Sequence, residues 1–116
     1  MIQKEVFGNR KTILIGQDSF YIALPIKVSG NANAVVKAGE PLTGDVASRL
    51  TSEFTASTAD AVGLLLHEVK LDGAGKGNGT LVVAGCIDKL KLESDVLAKI
   101  ESVEIPNIIV TEGSAI

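Results

Sequence analysis

The sequence predicts a mainly β fold, a compact β-barrel or sandwich with one short helix near residues 94–101. Short runs of Val, Ile, Leu and Thr recur along the chain, and residues typical of turns separate them. The 116 residues include 12 glycines but only three Phe, one Tyr and no Trp, so the core must be aliphatic. We therefore expect one β-rich domain over residues 12–116, after an extended or mobile N-terminal segment over residues 1–11.

The first predicted element is a β-hairpin. Residues 12–15 and 20–24 are β-branched and apolar runs, and the turn-forming residues 16–19 separate them. Pro25 has no backbone N–H to donate, so we expect an edge or a bend there. Residues 26–28 then alternate apolar and charged side chains, as a half-buried strand does.

The next stretch contains turns and one ambiguous segment. Residues 29–33 are predicted as a loop, and residues 38–41 as a tight turn before the apolar pattern resumes at Leu42. Within residues 43–60, apolar side chains at intervals of four allow a short helix. The Thr and Ser content favours a long loop with some extended structure.

A long central hairpin is the clearest prediction. Residues 61–71 and 80–87 are its two mostly apolar strands, and residues 72–79 form its glycine-rich loop. Asn78-Gly79 marks the turn, because both residue types tolerate positive φ. Three aspartates flank the central strands and are interpreted as turn or cap residues: Asp60, Asp72 and Asp88.

The C-terminal part contains the predicted helix. Ser94 is a candidate N-cap for a helix over residues 95–101, with Asp95 in its first turn. Val96, Leu97 and Ile100 would form its apolar face. Pro106 excludes helix further on, a last strand is predicted over residues 107–111, and a tail of small residues follows.

Composition excludes several functions. The net charge of -3 argues against sequence-independent binding of nucleic acid. One His and one Cys are too few for a Cys/His zinc site, and a single Cys cannot form an intramolecular disulfide. No apolar run is long enough to span a membrane. We therefore expect no metal, no cofactor, no nucleic-acid partner and no membrane partner.

Two motifs that suggest chemistry fail on closer inspection. Gly75-Lys76 is similar to the end of a phosphate-binding P-loop. That motif needs Gly where Lys70 stands and Ser or Thr where Gly77 stands. His67 and Cys86 lie on the two predicted central strands, where a base and a nucleophile could meet. The apolar residues around Cys86 predict a buried thiol instead of a reactive one. We predict no catalytic residue and a protein that is not an enzyme.

The central stretch resembles small head proteins of tailed bacteriophages. Residues 36–42, which contain a turn, precede the segment 61–69, which begins Ala61-Val62-Gly63-Leu64. A glycine-rich turn, the segment 79–88 and a Leu-containing helical segment follow. This order is similar to the head fibre proteins and, more loosely, to the lambda-type head decoration proteins. The resemblance covers about residues 35–100 and implies a β-tulip-like fold.

The resemblance also implies a function. Such proteins are non-enzymatic virion components, made in the bacterial cytoplasm, that typically form homotrimers on the outside of the capsid. The expected partners are the major capsid protein and further copies of the chain, and Ile2–Ile15 is the segment expected to dock by strand addition. Two alternatives remain: a carbohydrate- or receptor-binding module, and a small hydrolase or transferase that uses Cys86 and His67.

Overall fold

The computed structural model describes residues 13–14 and 21–112. Within these residues the chain forms eight β-strands, one α-helix and two single turns of 3₁₀ helix, at Val46–Ser48 and Lys89–Lys91. The strands and the helix are β1 (Tyr21–Ser29), β2 (Val35–Val36), β3 (Pro41–Thr43), β4 (Glu53–Ala56), β5 (Gly63–Leu65), β6 (Val69–Lys70), β7 (Lys76–Asp88), α1 (Ser94–Glu101) and β8 (Ile108–Thr111).

Five strands pair with one another in a closed ring. β1 lies parallel to β4, and the remaining neighbours β4–β3, β3–β5, β5–β7 and β7–β1 are antiparallel. β7 is longer than the others and continues past the ring, where β8 pairs with it in parallel. The mainly β prediction with one short helix is confirmed, and the closed circuit of pairings makes the fold a small barrel.

The interior of the ring is an aliphatic core around one aromatic side chain. Phe54 on β4 is fully buried there. The strand pattern confirms the predicted alternation at residues 26–28, because Ile26 and Val28 are buried and Lys27 is exposed. The other buried members of this core are Val36, Leu42, Leu65, Val69, Leu71 and Leu81.

A second core lies on the outer surface of the ring, beneath the helix. Val96 and Ile100 of α1 pack there against Leu64, Val82 and Ile87. Burying this one face of a short amphipathic helix supplies most of its stability, since eight residues are too few to be helical alone. The two cores share β5 and β7, whose successive side chains point to opposite surfaces.

The predicted capping residue of this helix is wrong by one position. Ser94 is the first helical residue, and the N-cap is Glu93, whose side chain makes no capping hydrogen bond. Asp95 lies in the first turn, as predicted. Its carboxylate is 2.9 Å from Lys37 Nζ, so a tertiary ion pair holds the start of the helix in place of a local cap.

The Asn78-Gly79 turn prediction is wrong. Both residues lie inside β7, in register with Lys27 and Ile26, and the reversal occurs earlier, at residues 72–76. A Cβ atom on Gly79 would lie 2.9 Å from Leu65 Cδ1, so the glycine is needed for close packing. A glycine in a tight turn and a glycine in a crowded strand give the same sequence signal, because glycine both permits positive φ and lacks a side chain.

The central hairpin is only partly as predicted. β5 pairs with β7 through Leu64–Val82 and Leu65–Leu81. Residues 69–70 leave this pairing and form β6, which pairs with β2 at Val35 and Val36. The segment 43–60 contains one 3₁₀ turn and the short strand β4, which agrees with the predicted long loop with extended structure.

Pro25 occupies an edge position, as predicted, because β4 pairs with β1 only at Lys27 and Val28 and leaves Pro25 with a strand on one side only among the described residues. It lies within β1, opposite Thr80 of β7. Its carbonyl accepts a hydrogen bond from Arg49 Nη1 at 2.9 Å, on the side away from β7. Because the amide and carbonyl of one strand residue point the same way, the missing N–H costs no bond to β7.

The described residues of the first predicted hairpin pair with β7 instead of with each other. Leu14 lies opposite Ile87, and the Ile13 carbonyl accepts from the Asp88 backbone N–H at 2.8 Å. Tyr21–Leu24 also pairs with β7. The predicted loop 16–19, the N-terminal segment 1–11 and the end of the tail lie outside the described residues.

Candidate functional site

The two candidate catalytic residues are far apart. His67 lies in the bend between β5 and β6, next to Leu66, whose backbone N–H donates to the Thr80 carbonyl at 2.9 Å. Cys86 lies six positions beyond Thr80 on the extended strand β7. Six residues of a strand span roughly 20 Å. A base must lie within hydrogen-bond reach of the nucleophile it activates, so these two residues do not form a catalytic pair.

Cys86 is half-buried, so its prediction as a buried core residue is wrong. The cause is an irregularity in β7. Ile22 lies opposite Ala84, but the next residue of β1 lies opposite Val82, so Val83 is an extra residue. A β-bulge of this kind shifts the alternation of the strand, and side chains beyond it point the other way from the sequence pattern.

Three amides of the glycine-rich loop are not available to cradle a phosphate. Asp72 Oδ1 accepts hydrogen bonds from the backbone N–H groups of Ala74 and Lys76, at 2.9 and 3.0 Å. The Asp72 carbonyl also accepts from the Gly75 N–H at 2.9 Å. The hydrogen bonds to the carboxylate, that from the Lys76 backbone first, hold the pKa of Asp72 below its ordinary value. The three amides are therefore already occupied, as in a stable turn.

The predicted roles of the flanking aspartates are confirmed. Asp72 organises the turn described above, and Asp88 Oδ1 accepts from the Leu90 N–H at 3.0 Å, at the start of a 3₁₀ turn. Asp60 adopts a φ of 55°, a left-handed conformation that Asp tolerates better than most residues. All three positions serve the fold.

Two sets of ion pairs fasten the helix to the barrel. Lys37 Nζ lies 2.9 Å from Asp95 and 3.0 Å from Glu93. The hydrogen bonds to these carboxylates, that to Asp95 first, raise the pKa of Lys37, and Lys37 in turn lowers the pKa of Asp95. Near the other end of the helix, Lys99 Nζ lies 2.6 Å from Glu40, a carboxylate that is almost fully buried.

A candidate functional surface among the described residues is an exposed aliphatic patch on the part of the sheet beyond the ring. Ile22 pairs with Ala84, and Cys86 pairs with Ile109. Side chains in register on neighbouring strands share a face, so these four residues form one surface across β1, β7 and β8, which we call the aliphatic face. Ile22 is 45% exposed and Ile109 is 60% exposed.

The aliphatic face lies on the side of the sheet opposite to α1. Ile108 and Val110, the neighbours of Ile109, pack into the second core beneath the helix. Alternation along β8 therefore sends Ile109 to the other surface. Sequence reasoning missed this face, because a strand pattern does not show where a sheet extends beyond its barrel.

Of the segment expected to dock by strand addition, Ile2–Ile15, the structure describes two residues. Ile13 and Leu14 are 1% and 5% exposed and belong to the second core, so these two are not free to dock. The remaining positions of that segment lie outside the described residues.

No family model, curated protein or solved structure matches this chain. Within residues 13–14 and 21–112, no three potential metal-binding side chains cluster together. Over the same residues, no helix has the length and apolar character that crossing a bilayer requires.

Proposed function

We propose that this chain is a structural protein of a tailed-bacteriophage virion that binds the outer surface of the capsid as a decoration or head fibre protein. The resemblance of residues 35–100 to such proteins motivates the proposal, with a homotrimer and the major capsid protein as the expected partners. The observation that supports it is the aliphatic face, since exposed apolar surface on a rigid sheet is a common feature of protein–protein interfaces.

Linkage explains how such a protein would work. A ligand that binds the assembled shell and not its separated subunits stabilises the shell by its binding free energy at each site. A trimer placed on a local three-fold position gains further affinity, because its second and third contacts are intramolecular. Neither effect requires a catalytic group, a metal or a cofactor.

The test is co-sedimentation with expanded capsids that lack the protein, combined with substitutions in the aliphatic face. We expect Ile109→Lys to weaken capsid binding by about tenfold or more, as truncating a central interface residue does. Leu50→Lys is the matched control, because Leu50 is 72% exposed and lies outside this face. Failure of the unmodified protein to sediment with capsids would refute the proposal.

Carbohydrate binding is the alternative, and it makes a different prediction. Carbohydrate sites usually present exposed aromatic rings. Among the described residues, Tyr21 is 41% exposed and Phe54 is fully buried. A glycan array that shows binding, and loses it in Tyr21→Ala, would favour the alternative over capsid decoration.

A further inference from the structure

Among the described residues, β8 is the last strand of its sheet and has backbone groups that make no hydrogen bond. The Asn107 carbonyl accepts from the Gly85 N–H of β7 at 3.0 Å, so Asn107 and the alternate residue Ile109 direct their backbone groups towards β7. Ile108 and Val110 direct theirs the other way. The Ile108 N–H is used locally, by the Ile105 carbonyl at 3.3 Å. Within the described residues, the N–H and C=O groups of Val110 make no such bond.

β8 lacks the residue types that usually protect an edge strand. Its four residues, Ile108–Thr111, contain no charge and no proline, and three of them are aliphatic and β-branched. Natural proteins usually shield such edges with lysine, proline or a covering element. An unprotected edge of this kind is a template for an added strand.

A groove of about 230 Å³ adjoins this edge, between β8 and α1. Its aliphatic lining includes Leu97 and Ile100 of the helix, Val103 and Ile105 of the following segment, and Val110. Val110 therefore lines the groove with its side chain and offers its backbone at the edge. The volume lies below the 300–1,000 Å³ typical of small-molecule pockets, and it suits one or two aliphatic side chains of a protein partner.

The rim of the groove is acidic. Glu101 lines it, Glu104 lies between two lining residues in the chain, and both are exposed. Among the described residues neither carboxylate belongs to an ion pair. Lys89, which also lines the groove, lies 4.0 Å from Glu112. A partner with basic residues would satisfy the two unpaired carboxylates.

We propose that the edge of β8 and the adjoining groove bind an extended peptide segment of a partner protein by strand addition. The segment pairs its backbone with Val110, places aliphatic side chains at alternate positions in the groove, and carries Lys or Arg at its ends facing Glu101 and Glu104. A second copy of β8 fits less well, because it would bring the same acidic side chains against this rim. The site lies on the opposite surface from the aliphatic face and does not depend on capsid binding.

The probe is the synthetic peptide acetyl-Lys-Thr-Val-Thr-Ile-Thr-Lys-amide, titrated into the isotope-labelled full chain and followed by NMR. Its lysines and aliphatic residues share one side of an extended strand. We expect saturable shifts of the Val110 and Thr111 amides and of the Leu97 and Ile100 methyl groups. A control peptide N-methylated at two consecutive amides, those of the central Thr and the following Ile, should lose this binding, because successive residues direct their N–H groups to opposite sides and one of the two must face β8.

Charge reversal tests the rim separately. Glu101→Lys combined with Glu104→Lys should weaken peptide binding by about fivefold at low salt, since exposed ion pairs contribute modestly and additively. Glu68→Lys, an exposed change in the bend between β5 and β6, is the control and should leave the affinity unchanged.

Three outcomes would overturn the proposal. The first is the absence of shifts at β8 with millimolar peptide, and the second is equal binding of the N-methylated control. The third is a set of β8 shifts that depend on the concentration of the protein itself, which would assign the edge to a second copy of the chain.

Discussion

Substituting Gly79 tests the most informative difference between sequence and structure. An alanine Cβ there would lie 2.9 Å from Leu65 Cδ1 and 3.1 Å from a methyl group each of Val28 and Val69. Carbon atoms in ordinary contact are about 3.5–4.0 Å apart. Leu65 and Val28 are fully buried, so neither can move into solvent. We expect the overpacking to lower the free energy of unfolding by about 1–3 kcal/mol.

The assay is urea or thermal unfolding of Gly79→Ala, with Gly73→Ala as the matched control. A Cβ on Gly73 would meet no atom within 4 Å, so Gly73→Ala should be neutral or slightly stabilising. A loss of about 2 kcal/mol at Gly79 corresponds to a fall in melting temperature of roughly 8 °C or more for a domain of this size.

Gly79→Asn separates the strand from the turn interpretation. Asn tolerates the positive φ of a tight turn better than Ala does, so a turn would favour Asn over Ala. In the strand, the Asn side chain is larger than that of Ala and overpacks the core more. Gly79→Asn should therefore lower the free energy of unfolding more than Gly79→Ala does. If Gly79→Asn is more stable than Gly79→Ala, the position of Gly79 within β7 and the reasoning from it are refuted.

Three further predictions follow from particular contacts. Lys99→Met should lower the free energy of unfolding by about 1–2 kcal/mol in urea titrations, because it leaves the buried Glu40 carboxylate without its cation; an unchanged midpoint would contradict this. The bond from the Lys76 backbone lowers the pKa of Asp72 below its ordinary value, so Asp72 stabilises the fold above the pKa of the unfolded chain. That contribution is lost as the pH falls through the folded value, and Asp72→Asn should show a smaller acid-induced drop in the urea midpoint than the unmodified chain. Cys86 is half-buried, so a thiol reagent should modify it in the native protein more slowly than in denaturant but to completion; a native thiol that never reacts would contradict the half-buried position.

The predictions that succeeded depend on local signals. The alternation at residues 26–28 and the apolar spacing of Val96 and Ile100 were correctly interpreted, because each pattern has the period of its own element. Asp72 and Asp88 were correctly assigned to turns and caps, since their side chains bond to neighbouring backbone groups.

The predictions that failed depend on contacts between distant parts of the chain. Gly79 fits a turn and a crowded strand equally well, and only the packing of Leu65 and Val28 against it distinguishes the two. Cys86 faces outward because of an extra residue at Val83, whose effect appears only when β1 is aligned with β7. The pairing of β6 with β2 likewise joins segments more than 30 residues apart.

By itself, the sequence determined a mainly β domain with an aliphatic core and a short C-terminal helix, because composition and periodicity limit which residues can be buried together. The tertiary structure alone decided that the strands close into a ring, that β7 extends beyond it, and that, among the described residues, β8 ends the sheet beside the groove next to α1. These features depend on register and on which strand lies next to which. Register is set by packing across the whole fold, and no local stretch of sequence encodes it.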